Sequence, residues 1–304
     1  MNLMQSTTSA AQPLLITGAQ GTLGRAFQRV CDIRGLPAVA LTRQELDITD
    51  PVAVELMLQR HNPWAVINAA GYVRVDEAEK DPALCYRVNT TGPKVLAEAC
   101  AFRAVQLLTF SSDLVFDGQQ SVPYTEADTK RPLNVYGRSK SLAERDVLMA
   151  MPRALVVRTS AFFGPWDEYN FIHFALRAMR GGQVFEAADD LQVSPTYVPD
   201  LVNTALDLLI DEESGIWHIA NRGTVTWAQL AQLAAEAADL NTALVRPRPA
   251  ADFRWPAPRP AYSALSSSRG IVLPTVDDGL GRYLHAVQSA DECTLRGEAL
   301  QQAS

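Results

Sequence analysis

Tyr136 and Lys140 stand four residues apart in Leu133-Asn134-Val135-Tyr136-Gly137-Arg138-Ser139-Lys140. On a helix that spacing puts both side chains on one face, one turn apart. A free tyrosine ionises at about pH 10, and a nearby cation pulls that value down. The pair could therefore serve as a proton donor that works near neutral pH. By itself the spacing is weak, because most such pairs on helices are solvated surface pairs. It gains meaning from a nucleotide-binding signature near the start of the chain.

That signature is Gly18-Ala19-Gln20-Gly21-Thr22-Leu23-Gly24, whose glycines are spaced G-x-x-G-x-x-G. It follows a short apolar run and opens a helical pattern, the context that makes a glycine motif informative. Glycine permits a tight turn and lets the backbone approach a pyrophosphate. The helix start beyond it offers free N–H groups and partial positive charge. The end of the second strand should tell one nicotinamide cofactor from the other. A carboxylate there suits the ribose of NAD, whereas an arginine suits the 2′-phosphate of NADP. This chain has Thr42-Arg43 there, so Arg43 leans toward NADPH, with NADH still open. Asp47, followed by Ile48, could meet the adenine amino group or could cap the helix that starts at Pro51.

The elements that must position these residues alternate. Leu14 to Thr17, Ala38 to Leu41, Ala65 to Asn68, Val105 to Phe110 and Ala154 to Val157 read as strands. Leu23 to Ile33, Pro51 to Arg60, Asn89 to Phe102 and Tyr136 to Met149 read as helices between them. The rhythm predicts an α/β fold, a Rossmann-like doubly wound parallel sheet with helices on both faces. After Thr159 the alternation becomes irregular and aromatics cluster in Phe162-Phe163-Gly164-Pro165-Trp166. Pro199 to Ile210 and Trp227 to Ala237 read as helices, the second with a capped start at Thr224-Val225-Thr226, and Ile216 to Ala220 as a strand. Residues 246–260 are crowded with proline and arginine and read as a loop. The expected organisation is a dinucleotide-binding domain over 13–160, with 197–222 returning to it. A smaller, interleaved α/β substrate domain takes 161–196 and 223–287. Residues 1–12 and 288–304 are expected to be disordered tails.

Bulk properties narrow the classes. The 304 residues, 47% hydrophobic, suit one large domain or two coupled ones. A net charge of -7 argues against nucleic acid and against a membrane surface as partner. Cys31, Cys85, Cys100 and Cys293 show no close pairing, which argues against zinc. Cys31, Cys85 and Cys100 fall in apolar helical patterns and read as buried thiols, which fits a reducing, cytoplasmic setting. No apolar run is long enough to span a bilayer, and a homodimer is compatible with the sequence.

Several stretches together resemble one family: Gly18 to Gly24, Asn68-Ala69-Ala70-Gly71-Tyr72, Ser112-Asp113-Leu114-Val115-Phe116-Asp117-Gly118, Pro132-Leu133-Asn134-Val135-Tyr136-Gly137, Arg158-Thr159-Ser160, Ser194-Pro195-Thr196-Tyr197 and Arg259-Pro260. They are similar to the extended short-chain dehydrogenase/reductases, and among these to the dTDP-4-dehydrorhamnose reductases. The resemblance implies NADPH-dependent reduction of the 4-keto group of a nucleotide-linked deoxy sugar. It implies that Ser112 holds the substrate carbonyl, that Tyr136 protonates it, and that Lys140 holds the nicotinamide ribose and lowers the tyrosine's pKa. Ala69, Ala70, Gly71 and Tyr72 would line the cofactor, and Asp113 would touch the sugar. Arg259 is the candidate for the diphosphate, with Arg246, Arg248 and Arg254 as competitors. Magnesium is used by some members, but no clustered carboxylates here demand it.

Two positions depart from the family's pattern. Leu114 stands where tyrosine is common, and Ala161, in the sugar pocket, where tryptophan is common. Phe162, Phe163, Trp166 or Tyr169 could fill the space they leave. The departures touch the identity of the sugar and leave the redox residues intact. Two alternatives remain beside the main reading. One is another extended nucleotide-sugar reductase or epimerase. The other is a non-catalytic regulatory subunit like that of methionine adenosyltransferase, against which the intact Ser112, Tyr136 and Lys140 set argues.

Overall fold

Successive residues of each short apolar run face two different cores. The computed structural model describes residues 12–167 and 169–302, with side chains up to 289. In it β1 (Leu14–Thr17), β2 (Ala38–Leu41), β3 (Ala65–Asn68), β4 (Gln106–Ser112) and β5 (Leu155–Thr159) are parallel. Leu14 and Ile16 of β1 join Ala65 and Ile67 of β3 in the core on one face. Leu15 and Val66 point the other way, into the opposite core. Two buried faces explain why these strands read as continuous apolar runs. Helices α1 (Thr22–Ile33) and α8 (Val198–Ile210) cover the first face. The second is covered by α2 (Pro51–His61), α5 (Gly92–Arg103) and α6 (Val135–Ala150).

The sheet order is β10-β5-β4-β3-β1-β2, with β10 (Gly215–His218) closing one edge. The chain leaves β1 toward β2 and then returns to β3 on the other side, so the connections diverge at the C-terminal ends of β1 and β3. Ligands of such sheets bind in the crevice that this reversal opens. A polar ladder underlies it: Thr17 donates to Asn68 Oδ1 at 2.8 Å, and Asn68 Nδ2 donates to Thr109 Oγ1 at 3.0 Å.

The irregular half packs a separate core. It is built from α7 (Phe171–Arg180), α9 (Trp227–Ala237), the start of α10 (Val276–Gln302) and short strand pairs. In those pairs β6 (Phe162–Phe163) meets β9 (Thr196–Tyr197), β7 (Phe185–Ala188) meets β12 (Val245–Arg248), and β8 (Gln192–Val193) meets β11 (Val225–Thr226). The capped start expected before Trp227 is a full capping box between Thr226 and Gln229.

Three sequence expectations are corrected. The helix expected from Asn89 begins earlier. Helix α4 (Pro82–Tyr86) passes through a wide π turn, Arg87–Thr91, into α5. Pro93 has no N–H and would crowd the carbonyl four residues back, and the wider turn accommodates it. The proline-rich segment is not all loop, because Val245–Arg248 is a strand parallel to β7. Pro247 is tolerated there because the sheet has only two strands, so its missing N–H faces no further neighbour. Finally, α10 carries the backbone helically to Gln302, where a tail was expected from 288. Ala, Glu, Leu and Gln in that stretch sustain a helix once it is nucleated. The expected leader lies outside the described residues except for Gln12. Among the described residues, no helix is long and apolar enough to cross a membrane. Cys31, Cys85 and Cys100 are buried free thiols, and burial pushes Cys100 up to about 12.

Candidate active site

The glycine turn lies against the end of β3. Gly18 has φ of +71°, and a Cβ there would sit 2.7 Å from the Ala70 nitrogen, so only glycine allows this approach. Gly21 precedes α1 without a side-chain cap, and the first turn, with Thr22, Leu23 and Gly24, holds no acid. By contrast, Asp50 caps α2, Asn134 caps α6, Asn170 caps α7 and Thr226 caps α9. An uncapped helix start at a sheet's switch point fits a pyrophosphate, since its N–H groups have no other acceptor.

Around the second strand the expected residues separate. Arg43 is exposed and makes no salt bridge among the described residues. Glu45, close by, accepts from the Thr42 N–H and hydroxyl, both at 2.8 Å, which hold its carboxyl below the usual range. The helix cap is Asp50, not Asp47, because Asp50 accepts from Val52 and Ala53. The Asp47 carboxylate accepts from the backbone and hydroxyl of Thr49, which lower its pKa, helped by Arg43 and Arg87. The Ile48 side chain is buried against Gly92 at the start of α5.

The catalytic candidates converge at the C-terminal end of β4. Helix α6 reaches it because Asn134, fully buried, caps the helix by accepting from Gly137 at 2.7 Å. A Cβ on Gly137 would lie 2.1 Å from the Leu114 carbonyl, so glycine is what lets this helix touch the end of β4. Tyr136 is half-buried beside Ser112, and Lys140 is buried one turn on. Lys140 Nζ donates to the Phe110 carbonyl at 3.1 Å and lies 5.9 Å from the Tyr136 ring centre. A Cβ on Gly71 would be 3.5 Å from that ammonium, so the expected cofactor wall from Ala69 to Tyr72 faces it.

The expected lowering of the tyrosine's pKa is not what this geometry gives. Burial, and after it the Asp113 charge, push the Tyr136 phenol above its ordinary value. Burial pulls Lys140 down to about 8. Desolvation of both groups outweighs their attraction at this separation.

Ser112 also has prior partners. Its hydroxyl donates to Asp113 Oδ1 at 2.8 Å and accepts from the Leu114 N–H at 3.1 Å. The hydroxyls of Ser160 and Ser263 donate to Asp113 Oδ2 at 2.9 and 2.6 Å. The Asp113 carboxyl is therefore fully engaged, and burial raises its pKa against the pull of these three hydroxyls.

A cavity of about 510 Å³ opens over this cluster. Its lining includes Ser112, Asp113, Leu114, Tyr136 and Ala161. Of the four aromatics offered to fill the space left by Leu114 and Ala161, Phe162 and Tyr169 border the cavity. Phe163 packs instead on Tyr197 and Tyr283, and Trp166 lies under Arg29. Aromatics from distant segments complete the wall, among them Phe174, Trp227, Phe253 and Trp255. Ala161 has φ of +40°, so the chain bends sharply where the sugar pocket was expected.

Arg259 borders the cavity, unlike Arg246, Arg248 and Arg254. Its guanidinium is already held by Asp76, at 2.5 and 2.7 Å, and lies over Trp255. Arg246 and Arg248 pair with Glu186.

Sequence reasoning missed the residues that brace these groups. Asn89 in the π turn accepts from the Tyr72 N–H at 2.7 Å and donates to the Tyr72 carbonyl and to Ser139. An amide on the apolar stripe of Cys85 and Leu96 was the available signal. Glu144 accepts from Ser111 at 2.5 Å and pairs with buried Arg158 and with Lys130. Among the described residues, no group of three or more His, Cys, Asp or Glu side chains is placed to hold a metal ion.

Comparison with known proteins identifies the family. Residues 12–288 match the family model described as RmlD substrate binding domain. The chain is 40% identical over 262 residues to a dTDP-4-dehydrorhamnose reductase of Mycobacterium tuberculosis, covering 84% of this chain and 86% of that protein. A solved dTDP-4-dehydrorhamnose reductase of Clostridium acetobutylicum superposes with a TM-score of 0.86 at 30% identity, covering 91% of this chain and 99% of that one. One from Bacillus anthracis, solved in complex with NADP, gives 0.86 at 29% identity, with 90% and 98% covered. The chain belongs to the RmlD substrate-binding domain family.

Proposed function

We propose that this protein is a cytoplasmic NADPH-dependent reductase of a nucleotide-linked 4-keto-6-deoxy sugar, converting dTDP-6-deoxy-L-lyxo-4-hexulose to dTDP-L-rhamnose. The observation that carries this reading is the convergence of Ser112, Tyr136 and Lys140 on one end of β4, at the floor of a cavity and beside Gly71 of the β3 crevice. The names of the relatives support the sugar, and the NADP complex of the Bacillus anthracis protein supports the cofactor.

NADPH, when bound, supplies the hydride. The chain's own residues do the rest. The uncapped start of α1 and the Gly18 turn receive the pyrophosphate, and exposed Arg43 is free to meet a 2′-phosphate. Lys140 holds the ribose near Gly71. Ser112 turns its proton from Asp113 to the substrate carbonyl, and Tyr136 gives that oxygen a proton. Such acid catalysis contributes about 10²- to 10⁴-fold, the remainder coming from alignment. Asp113, with both oxygens engaged, orients Ser112 more than it grips the sugar.

Following NADPH oxidation with the dTDP-4-keto sugar tests the reading. Turnover is expected from the unaltered chain. Tyr136→Phe should lose at least a hundredfold in kcat while its NADPH dissociation constant stays within about twofold. Retained activity would mean another proton donor. Absence of turnover in the unaltered chain, with NADPH bound, would overturn the assignment.

A further inference from the structure

Thr159 ends β5 directly beside Ser112, its register partner on β4. It is 4% exposed and borders the cavity. Its Oγ1 is the one buried side-chain polar atom among the described residues that has no hydrogen-bond partner. Both neighbours in sequence have theirs. Arg158 pairs with Glu144, and Ser160 donates to Asp113. A valine would suit the strand equally well and would leave no buried hydroxyl unpaired. Rotation about χ1 exchanges the hydroxyl and methyl of a threonine, so a residue at this wall can offer either to a ligand.

The geometry points to Thr159 as a substrate-contacting specificity residue that hydrogen-bonds the sugar hydroxyl on the carbon next to the ketone. This rests on the reductase reading, in which Ser112 receives the carbonyl oxygen. Adjacent strands lie about 4.8 Å apart. Two hydroxyls at that spacing, each reaching about 2.8 Å to a partner, suit oxygens on neighbouring ring carbons. In a 4-keto-6-deoxy hexose, C5 carries a methyl group and the ring oxygen, so only C3 offers a hydroxyl beside the ketone. Leu114 and Ala161 add no polar group at this end of the cavity. Thr159 then reads the C3 hydroxyl and disfavours sugars deoxygenated at that carbon.

The test compares kcat/KM on two dTDP-4-keto-6-deoxy sugars, one with the C3 hydroxyl and one without it. The unaltered chain should favour the hydroxylated sugar, and Thr159→Val should cut that preference by about ten- to a hundredfold. Thr159→Ser should retain it, and NADPH affinity should stay within about twofold in both variants. If the valine chain does not fold, Thr159→Ala carries the same comparison. An undiminished preference in Thr159→Val, or a loss of NADPH affinity in place of sugar preference, would overturn the inference. If the unaltered chain reduces neither sugar, it is the reductase reading that falls. Calorimetric binding of the corresponding 4-hydroxy nucleotide sugars, with and without the C3 hydroxyl, still decides the role of Thr159 without turnover.

Discussion

Lys140 sets charge against burial more sharply than any other cation at the site. Its ammonium is out of water with one backbone carbonyl, Phe110, as its hydrogen-bond acceptor, and burial holds its pKa at about 8 rather than 10.5. The sign of the stability effect follows from proton counting. Below pH 8 the folded and unfolded chains both hold the proton, and the folded chain carries the burial penalty in full. Between 8 and 10.5 only the unfolded chain holds it, so the unfolded state binds more protons and stability rises with pH. The full effect is on the order of 3 kcal/mol. Lys140→Met removes the titration. It also leaves the Phe110 carbonyl without this donor, a loss that does not vary with pH. Urea unfolding should therefore show the parent gaining on the variant steadily from pH 8 to 10.5. A difference that stays flat across that window would show that Lys140 keeps its charge when folded. The charge of this site residue is thus held at a cost to folding, as expected where a cation must meet a ligand.

Among the elements, the end of β4, the end of β5 and helix α6 must hold a common position for Ser112 and Tyr136 to meet. Glu144 supplies that tie. It stands one turn beyond Lys140, accepts from Ser111 on β4 and pairs with Arg158 on β5 at 2.7 Å, both partners of that pair being 1% exposed. Burial pushes its pKa up, but Arg158 and Lys130 outweigh that and hold it below the usual value. Glu144→Gln would leave Arg158 buried with an uncompensated charge, which typically costs about 3–5 kcal/mol. Chemical denaturation should register that loss. A change under about 1 kcal/mol would mean that the glutamine's amide oxygen and the Glu126 carbonyl, 3.5 Å from Arg158 Nη1, accept from the guanidinium well enough to cover it. This network was closed to sequence reading. The strands were legible because two-sided burial writes itself as apolar runs such as Leu14 to Thr17. The Tyr136–Lys140 face was legible because helical spacing is local. Glu144 to Arg158 and Asn89 to Tyr72 depend on which elements become neighbours, which no local pattern encodes. The strand at Val245–Arg248 was hidden for the same reason, since its pairing with β7 overrides the prolines around it.

At the scale of the whole molecule, the cavity lies between the sheet and the irregular half, so its shape depends on what holds the two together. One tie is Asp76 on α3 (Val75–Ala78), which grips Arg259 across a separation of 183 residues and also accepts from the Ala257 N–H at 3.1 Å. The pair is partly exposed, 34% for Asp76 and 21% for Arg259, so its contribution to stability is small, about 1 kcal/mol or less. Its greater effect is on placement. Two of the five guanidinium N–H groups go to Asp76 and one to the Ala257 carbonyl, which leaves two for a diphosphate. Holding Arg259 against the cavity wall removes rotamer freedom before the substrate arrives, and immobilising such a side chain is worth about 0.5–1.5 kcal/mol to the ligand. Asp76 also places a negative charge near an anionic substrate. At this exposure the repulsion is screened, so placement should prevail. Asp76→Ala is therefore expected to raise KM for the sugar nucleotide about three- to tenfold, with kcat and NADPH affinity nearly unchanged and little loss in melting temperature. Steady-state kinetics at fixed ionic strength would measure this. A fall in KM would show that the carboxylate competes with the diphosphate for Arg259. An unchanged KM would show that Asp76 does not govern how Arg259 meets the nucleotide, and Arg259→Ala would then decide between the guanidinium and the aromatic pair Phe253 and Trp255 beside it as the part of this wall that binds.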